Sequence, residues 1–299
     1  MAVSQPLFSP KQVALALQAS ESSVKRWCDQ GAIETIRTVG GHRKITLEAL
    51  QDFLQRSNRT LVSPGSLGLR VSPQSVRPDI PGGDDEDQKQ FRTALALGDE
   101  KTCRSLLRER MERFGGHRSR TADFLITDAM HGIGHAWNNH KIDAYQERRG
   151  CDICLRLINE LRAELPSAAP SAPMAFGGTL PGDPYQIPTA LVELSLRELG
   201  WNATSLGCNL PVESFLRASD HYSPALIWLS TSSFVTVEDF IRDENLLADQ
   251  LPAETALVVG GRALTEQIRN RLTYSVFCDG LQQFTDFAWI LSVSKSATN

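Results

Sequence analysis

Ser20-Glu21-Ser22-Ser23-Val24-Lys25-Arg26-Trp27-Cys28-Asp29-Gln30-Gly31 is written as a short capped helix, and the segments on either side of it give it a setting. Ser20 is a good N-cap, because its hydroxyl can accept an amide hydrogen that the first turn leaves without a partner, and Gly31 is a good stop. Val24 and Trp27 fall three apart on one side, which leaves Ser22, Ser23, Lys25 and Arg26 facing outward. A helix of this kind can anchor in a core and still reach into a groove. Upstream, Val13, Ala14, Leu15 and Leu17 supply the apolar face of a first helix. Downstream, Ile33 to Thr38 and Arg43 to Thr46 flank Gly40-Gly41, a dipeptide that accepts the positive dihedrals of a tight hairpin. The hairpin tip carries Arg37, His42, Arg43 and Lys44, and Leu47 to Leu54 forms a third helix behind it. The order predicts a winged helix-turn-helix over residues 8–54.

Charge supports a polyanionic partner for this segment. Residues 1–60 hold eight Lys or Arg against five acids, an excess of three in a chain whose net charge is −4. Double-stranded DNA is the expected partner. One small wing supplies few phosphate contacts, so a homodimer or tetramer is expected to hold a site.

With 299 residues, of which 41% are hydrophobic, the chain suits two or three globular units. No run approaches the ~20 apolar residues of a membrane span. The N-terminus lacks the basic and apolar regions of a signal peptide, and a cytoplasmic location is expected. Six cysteines in a chain this long do not suggest a disulfide scaffold; Cys28, Cys103, Cys208 and Cys278 read as buried thiols.

Composition divides the remainder. Residues 60–87, with Pro64-Gly65-Ser66, Pro81-Gly82-Gly83 and Asp84-Asp85-Glu86-Asp87, read as a flexible tether after a head at 1–59, one that leaves the head free to reorient. Residues 88–165 show helical apolar spacing at Phe91, Ala94, Leu95, Leu97, Cys103, Leu106, Leu107 and Met111, with further helices at Arg120–Trp137 and Ala144–Leu165. They suit a four-helix bundle. A second proline-rich break covers 166–173. In residues 174–299, strands at Ala175–Leu180, Ala203–Leu206, Ala225–Leu229, Ala256–Val259 and Ser275–Cys278 alternate with helices, the first at Pro188–Leu199. Such alternation specifies a five-stranded parallel, doubly wound sheet of flavodoxin-like type. Ligands of such sheets bind beyond the carboxyl ends of the strands, so loops 181–188, 207–211, 230–234 and 260–263 form the expected rim, which includes Ser230, Gly260 and Gly261.

The order helix, turn, Ser-capped helix and Gly40-Gly41-His42-Arg43 wing resembles MerR-type and excisionase-type DNA-binding domains, which implies that Ser22, Ser23, Lys25 and Arg26 face the groove, that Arg37, Arg43 and Lys44 face phosphate, and that His42 belongs to the DNA-binding set. The whole chain, with a bundle and a five-stranded α/β unit behind such a head, resembles the cobalamin-binding transcription regulators, some of them light-sensing. Leu199-Gly200-Trp201, Leu206-Gly207-Cys208-Asn209-Leu210-Pro211, Leu229-Ser230-Thr231-Ser232 and Val259-Gly260-Gly261 carry the likeness. The resemblance implies a cobalamin-type pocket whose first loop reads Asp-x-His-x-x-Gly, the histidine ligating cobalt from below. Here that loop keeps Asp183 but has Tyr185 for the histidine and Pro188 for the glycine. A neutral imidazole is a good ligand near pH 7 and a phenol is a poor one, so histidine-ligated cobalamin is not expected. Plain residue chemistry reads the loop instead as a helix start with Pro188 at the first helical position and Tyr185 as an aromatic lid.

The family's capping motif, a tryptophan followed ten positions later by Glu-His, survives as Trp137 and Glu147 with Arg148 in the histidine's place. Trp137 is either a cover for a flat ligand, including another tetrapyrrole such as a bilin or haem, or bundle core. His131 and His135 lie four apart, with His140 beyond and Cys151-x-x-Cys154 on the next helix; these are weak metal candidates, set against solvated or core residues. No Gly-x-Gly-x-x-Gly, phosphate loop or Gly-x-Ser-x-Gly elbow is present, so no catalytic residue and no enzymatic activity are assigned. The resemblance implies a transcription regulator whose oligomeric state and DNA affinity are controlled by a cobalamin-type sensor module without the usual cobalt-ligating histidine; the alternative is the same head on a ligand-free oligomerisation and interaction module.

Overall fold

The computed structural model describes residues 7–17, 19–37, 43–57, 67, 86–139 and 142–296. In the head, β1 (Leu7–Phe8) precedes α1 (Pro10–Ala16) and α2 (Glu21–Asp29), followed by β2 (Ile36–Arg37), β3 (Arg43–Thr46) and α3 (Leu47–Ser57). Ser9 caps α1 in a box with Gln12, and the Ser20 hydroxyl accepts from Ser23 N at 3.1 Å to start α2. β3 pairs antiparallel with both β1 and β2, which places Ile36 opposite Lys44 and Arg37 opposite Arg43. The core beneath them is Phe8, Val13, Val24, Ile33, Ile45, Leu50 and Phe53. Gly40, Gly41 and His42, the expected hairpin turn, lie outside the described residues.

Four helical stretches build the middle layer: α4 (Glu86–Leu97), α5 (Glu100–Arg113), a third formed by α6 (Arg118–Ala122) and α7 (Asp128–Asn138), and α8 (Ala144–Ala163). A π turn at Asp123–Thr127 joins α6 to α7, an insertion of the type that often marks functional regions. Helix α4 begins at Glu86, inside the expected tether, because Asp87 is held by Arg110 and Arg113. Leu67, from the same segment, is buried, and its carbonyl accepts from Gln12 Nε2 at 2.6 Å. That contact ties part of the expected tether to the head.

The last layer runs β4 (Met174–Gly178), α9 (Gln186–Glu198), β5 (Asn202–Ser205), α10 (Val212–Tyr222), β6 (Leu226–Ser230), α11 (Val237–Gln250), β7 (Ala256–Gly260), α12 (Glu266–Arg269), β8 (Val276–Cys278) and α13 (Leu281–Ser296). All neighbouring strands are parallel, in the order β5-β4-β6-β7-β8. This is the flavodoxin-like order, and its switch point lies between β4 and β6. Strand β6, Leu-Ile-Trp-Leu-Ser, is buried throughout, as a strand covered on both faces must be. Helices α9 and α13 cover one face with Trp201, Trp228 and Phe287, and α10 and α11 cover the other with Phe215, Phe240 and Leu247. The bundle packs on the outer side of α9 through Ile187, Leu191 and Leu194.

Two expectations change in detail. Helix α9 starts at Gln186, so Pro188 is its third residue instead of its first. Its missing amide still costs nothing, because first-turn amides have no intrahelical acceptor. Cys103 and Cys278 are buried, but Cys28, packed at the edge of the head's core, and Cys208, in the loop after β5, are only half-buried.

Glu193, at 2% exposure, fastens the bundle to the sheet layer: its carboxylate accepts from Arg162 of α8 at 2.6 Å and from Arg197 at 2.9 Å. Replacing it with Ala leaves Arg162 without this carboxylate and Arg197 with only the Ala203 carbonyl, both guanidinium groups being partly reached by water. The expected loss is about 2 kcal/mol, below that of a fully buried pair, readable as a drop in urea midpoint; an unchanged midpoint would show that the pair contributes no stability.

Candidate functional site

The outward face of α2 presents Ser22, Lys25 and Arg26 as exposed residues, with Ser23 half-exposed and engaged with the Ser20 hydroxyl at 2.8 Å. Lys25 pairs with Glu21 at 2.8 Å, and that carboxylate is held below its ordinary range by the lysine. Val24 is fully buried, and the Trp27 ring packs on Phe53 at 5.0 Å, so the sequence's division of α2 into an anchored and a free side is realised. Arg37 is exposed, Lys44 is half-buried, and Arg43 forms an ion pair with Asp29 near the end of α2. Arg43 therefore braces the wing against α2, a role that sequence reading missed because nothing in the spacing of residues 29 and 43 announces it.

Beyond the sheet's carboxyl edge, the loops after β4, β5, β6 and β7 meet. Asp183 is the hub, at 2% exposure. Its Oδ2 accepts from Ser232 N at 2.6 Å and Ser233 N at 3.3 Å, and its Oδ1 accepts from Tyr185 N at 3.0 Å. Burial pushes this carboxyl above its usual value while the Ser232, Tyr185 and Ser233 amides pull it back. Thr179 Oγ1 donates to the Asp183 carbonyl at 2.6 Å and receives Asn209 N at 3.0 Å, and Gly182 N donates to Asn209 Oδ1 at 2.9 Å. Gly182 has φ +90° and lies against Val235, so only glycine fits there.

Tyr185 caps the start of α9, partly exposed at 38%, and the Arg262 guanidinium sits 4.9 Å from its ring centre. Ser230 and Gly260 are register partners at the ends of β6 and β7, and Gly261 lies directly against Thr231. Asp183, Tyr185, Ser230, Gly260 and Gly261 are thus brought together as expected. Arg262, Ser232, Ser233 and Asn209 join them. Arg262 was findable, being the next residue after the Gly-Gly pair within the predicted loop.

Below the rim, Trp228 projects from β6 toward α9. Its Nε1 donates to Thr189 Oγ1 at 2.8 Å, and Thr189 in turn meets Ser205 Oγ at 3.1 Å. A side chain at Gly177 would collide with the Trp228 carbonyl and indole, so the sheet is closely filled at the switch point.

The bundle residues behave differently. Trp137 is 49% exposed, which excludes it from the bundle core, and Glu147 is half-buried with Cys151 Sγ at 3.4 Å. His131 and His135 are exposed; His135 meets its own neighbour Asn139 at 3.2 Å. His140 lies outside the described residues. Burial pushes the Cys151 thiol up to about 12, with Glu147 adding to it, and burial raises the Cys154 thiol well above its ordinary value too. Thiolates are the metal-binding form and are disfavoured here. Among the described residues no group of three His, Cys, Asp or Glu could hold a metal ion, and no helix is long and apolar enough to cross a membrane.

A family model described as a helix-turn-helix domain matches residues 7–58. Among solved structures, the monomethylamine corrinoid protein of Methanosarcina barkeri superposes with a TM-score of 0.55 at 17% identity, over 69% of this chain and 99% of that one. A cobalamin-binding protein from Desulfitobacterium hafniense matches at TM-score 0.35 and 16% identity, over 68% of this chain and 97% of its own. The methanol:cobalamin methyltransferase complex of Methanosarcina barkeri gives 0.36 and 19%, over 82% and 91%. No curated protein matches the chain. The protein thus joins a helix-turn-helix domain to a module with the fold of cobalamin-binding proteins.

Proposed function

We propose that this protein is a DNA-binding transcription regulator, acting as a homodimer or tetramer, whose cobalamin-type module has given up cobalt ligation by histidine. The observation that carries the DNA reading is the exposed set Ser22, Lys25 and Arg26 on a helix pinned by Val24 and Trp27, beside the basic strand pair of Arg37 and Lys44. The head 1–59 reads duplex DNA, and residues 88–299 assemble the copies and carry any signal, with no reaction assigned. MerR-type ancestry of the head belongs to this proposal as well.

The residues present do not fit a corrinoid held from below by histidine. No imidazole stands on the loop after β4, both Asp183 oxygens already accept backbone amides, and the Arg262 guanidinium stacks on the Tyr185 ring. A flat macrocycle such as a bilin or haem, covered by the exposed Trp137, is a second reading, favoured by that exposure. A ligand-free interaction module is the third, favoured by the closed rim and by Trp228 filling the switch point. The absorption spectrum of the purified protein separates the three.

Selection of duplexes from a random pool with the full chain tests the head. Enrichment of one sequence is expected. Replacing Arg37 and Lys44 together with Ala is expected to weaken binding to all duplexes and to reduce the slope of log affinity against log salt by roughly two, about 0.9 for each phosphate no longer neutralised. Replacing Arg26 is expected to change the preferred sequence instead. An unaltered salt slope, with circular dichroism unchanged, would rule out the wing assignment.

A further inference from the structure

Helix α13 shows no exposed residue over its first three turns. Every residue from Leu281 to Ser292 is buried or half-buried, and the helix is apolar around its circumference: Leu281, Phe284, Phe287, Ala288, Trp289, Ile290 and Leu291 fall on all sides. A helix written this way must be covered all round. The sheet layer covers only part of it: α9 meets it where Ser195 Oγ and Thr285 Oγ1 bond at 2.6 Å, and β8 runs into it. Phe287 lies two residues beyond Thr285, about 200° further round the helix. On that side it lines a cleft with Leu54 of α3, together with Ala253, Ala256, Ser275 and Val276 from the amino-terminal ends of β7 and β8. Leu54 and Phe53 belong to one continuous core with Phe287, Ile290 and Leu291.

We infer that the DNA-binding head is seated on the module instead of swinging on a tether: α3 docks on α13 and on the amino-terminal edge of β7 and β8. The seat is an interaction surface for this chain's own head. Leu54 and Phe287 give it an apolar part, Glu254 and Ser275 a polar one, and it lies at the end of the sheet opposite the Asp183 rim. The seated head keeps α2 free, since Ser22, Lys25, Arg26 and Arg37 remain exposed. From the seat to the recognition helix the path is short, Phe287 to Leu54 and then Phe53 to Trp27 at 5.0 Å. A tilt of α13 would therefore turn α2, and heads in an assembly would face DNA at a fixed spacing.

Nuclear relaxation on the isotopically labelled full chain tests the seat. Backbone amides of α2 are expected to report the same tumbling time as those of β6, and nuclear Overhauser contacts are expected between the Leu54 methyls and the Phe287 ring. Tumbling of α2 several-fold faster than β6 would overturn the inference. So would Overhauser contacts that arise only between differently labelled copies, because the seat would then belong to a partner's head. In the full chain, Phe287→Ala is expected to speed α2 relative to β6; a folded variant with α2 still locked to β6 would also overturn it. If that variant does not fold, the wild-type measurement decides alone.

Discussion

Incubated with hydroxocobalamin or adenosylcobalamin and then desalted, the full-length protein is expected to retain no stoichiometric cobalt and to show no corrinoid absorption. The position that would supply the lower ligand is Tyr185, and a neutral phenol competes poorly with water for cobalt near pH 7. Its surroundings oppose the metal further. Arg262 lies 4.9 Å from the ring centre, so a cobalt cation held by the phenol oxygen would bring a second positive charge near that guanidinium. Asp183, which could otherwise orient a ligand, already accepts three backbone amides from Tyr185, Ser232 and Ser233. Pro188 fixes the first turn of α9 immediately beyond the loop. The double replacement Tyr185→His with Pro188→Gly is expected to raise retention by at least tenfold, since an imidazole ligand contributes more than the roughly 1.4 kcal/mol that a factor of ten requires. Full retention by the unaltered protein would mean that another group ligates cobalt, and the reading of Tyr185 would fail. No gain in the double variant would locate the obstruction in Trp228 and the closed rim, and would favour the ligand-free module.

The fold was legible where local writing and burial agree. Leu226-Ile227-Trp228-Leu229 is a continuous apolar run because β6 is covered on both faces, and such runs between amphipathic helices imply a parallel sheet. Pro211 marks where α10 begins, since it precedes the first turn of Val212–Tyr222. Ser20 and Gly31 bracketed α2 because capping is a local matter. Pairings made by closure of distant loops were not legible. Nothing in the order of residues joins Arg262 to Tyr185, Asp29 to Arg43, Glu193 to Arg162, or Leu54 to Phe287; each pair exists only once the layers have packed. The exposure of Trp137 was equally hidden, because a tryptophan at helical spacing satisfies a core reading and a surface reading alike.

Between pH 5 and pH 9 the wild-type protein is expected to lose stability relative to a Glu244→Gln variant by several kcal/mol. Glu244, on α11, has no exposed surface; its Oε2 accepts from Thr273 N at 3.2 Å, and its Oε1 has no partner. Around it stand Phe240, Ile241 and Leu247. Burial pushes its carboxyl up to about 8 from an ordinary 4.5; the Thr273 amide pulls down, and Asp249 pushes further up. The sign follows from the unfolded chain, where the carboxyl ionises near its ordinary value. Below that value both states are protonated and nothing is lost. Between 4.5 and about 8 the unfolded chain ionises while the folded one holds its proton, so stability falls as pH rises; above about 8 both are ionised and the loss is complete. Each pH unit separating the two values costs about 1.4 kcal/mol. The glutamine variant carries no such proton, so its denaturant midpoint should fall less steeply with pH, crossing from equal or lower at pH 5 to higher at pH 9. Parallel curves for the two proteins would show that Glu244 is ionised in the folded state throughout, with water or a rearranged Thr273 loop satisfying Oε1.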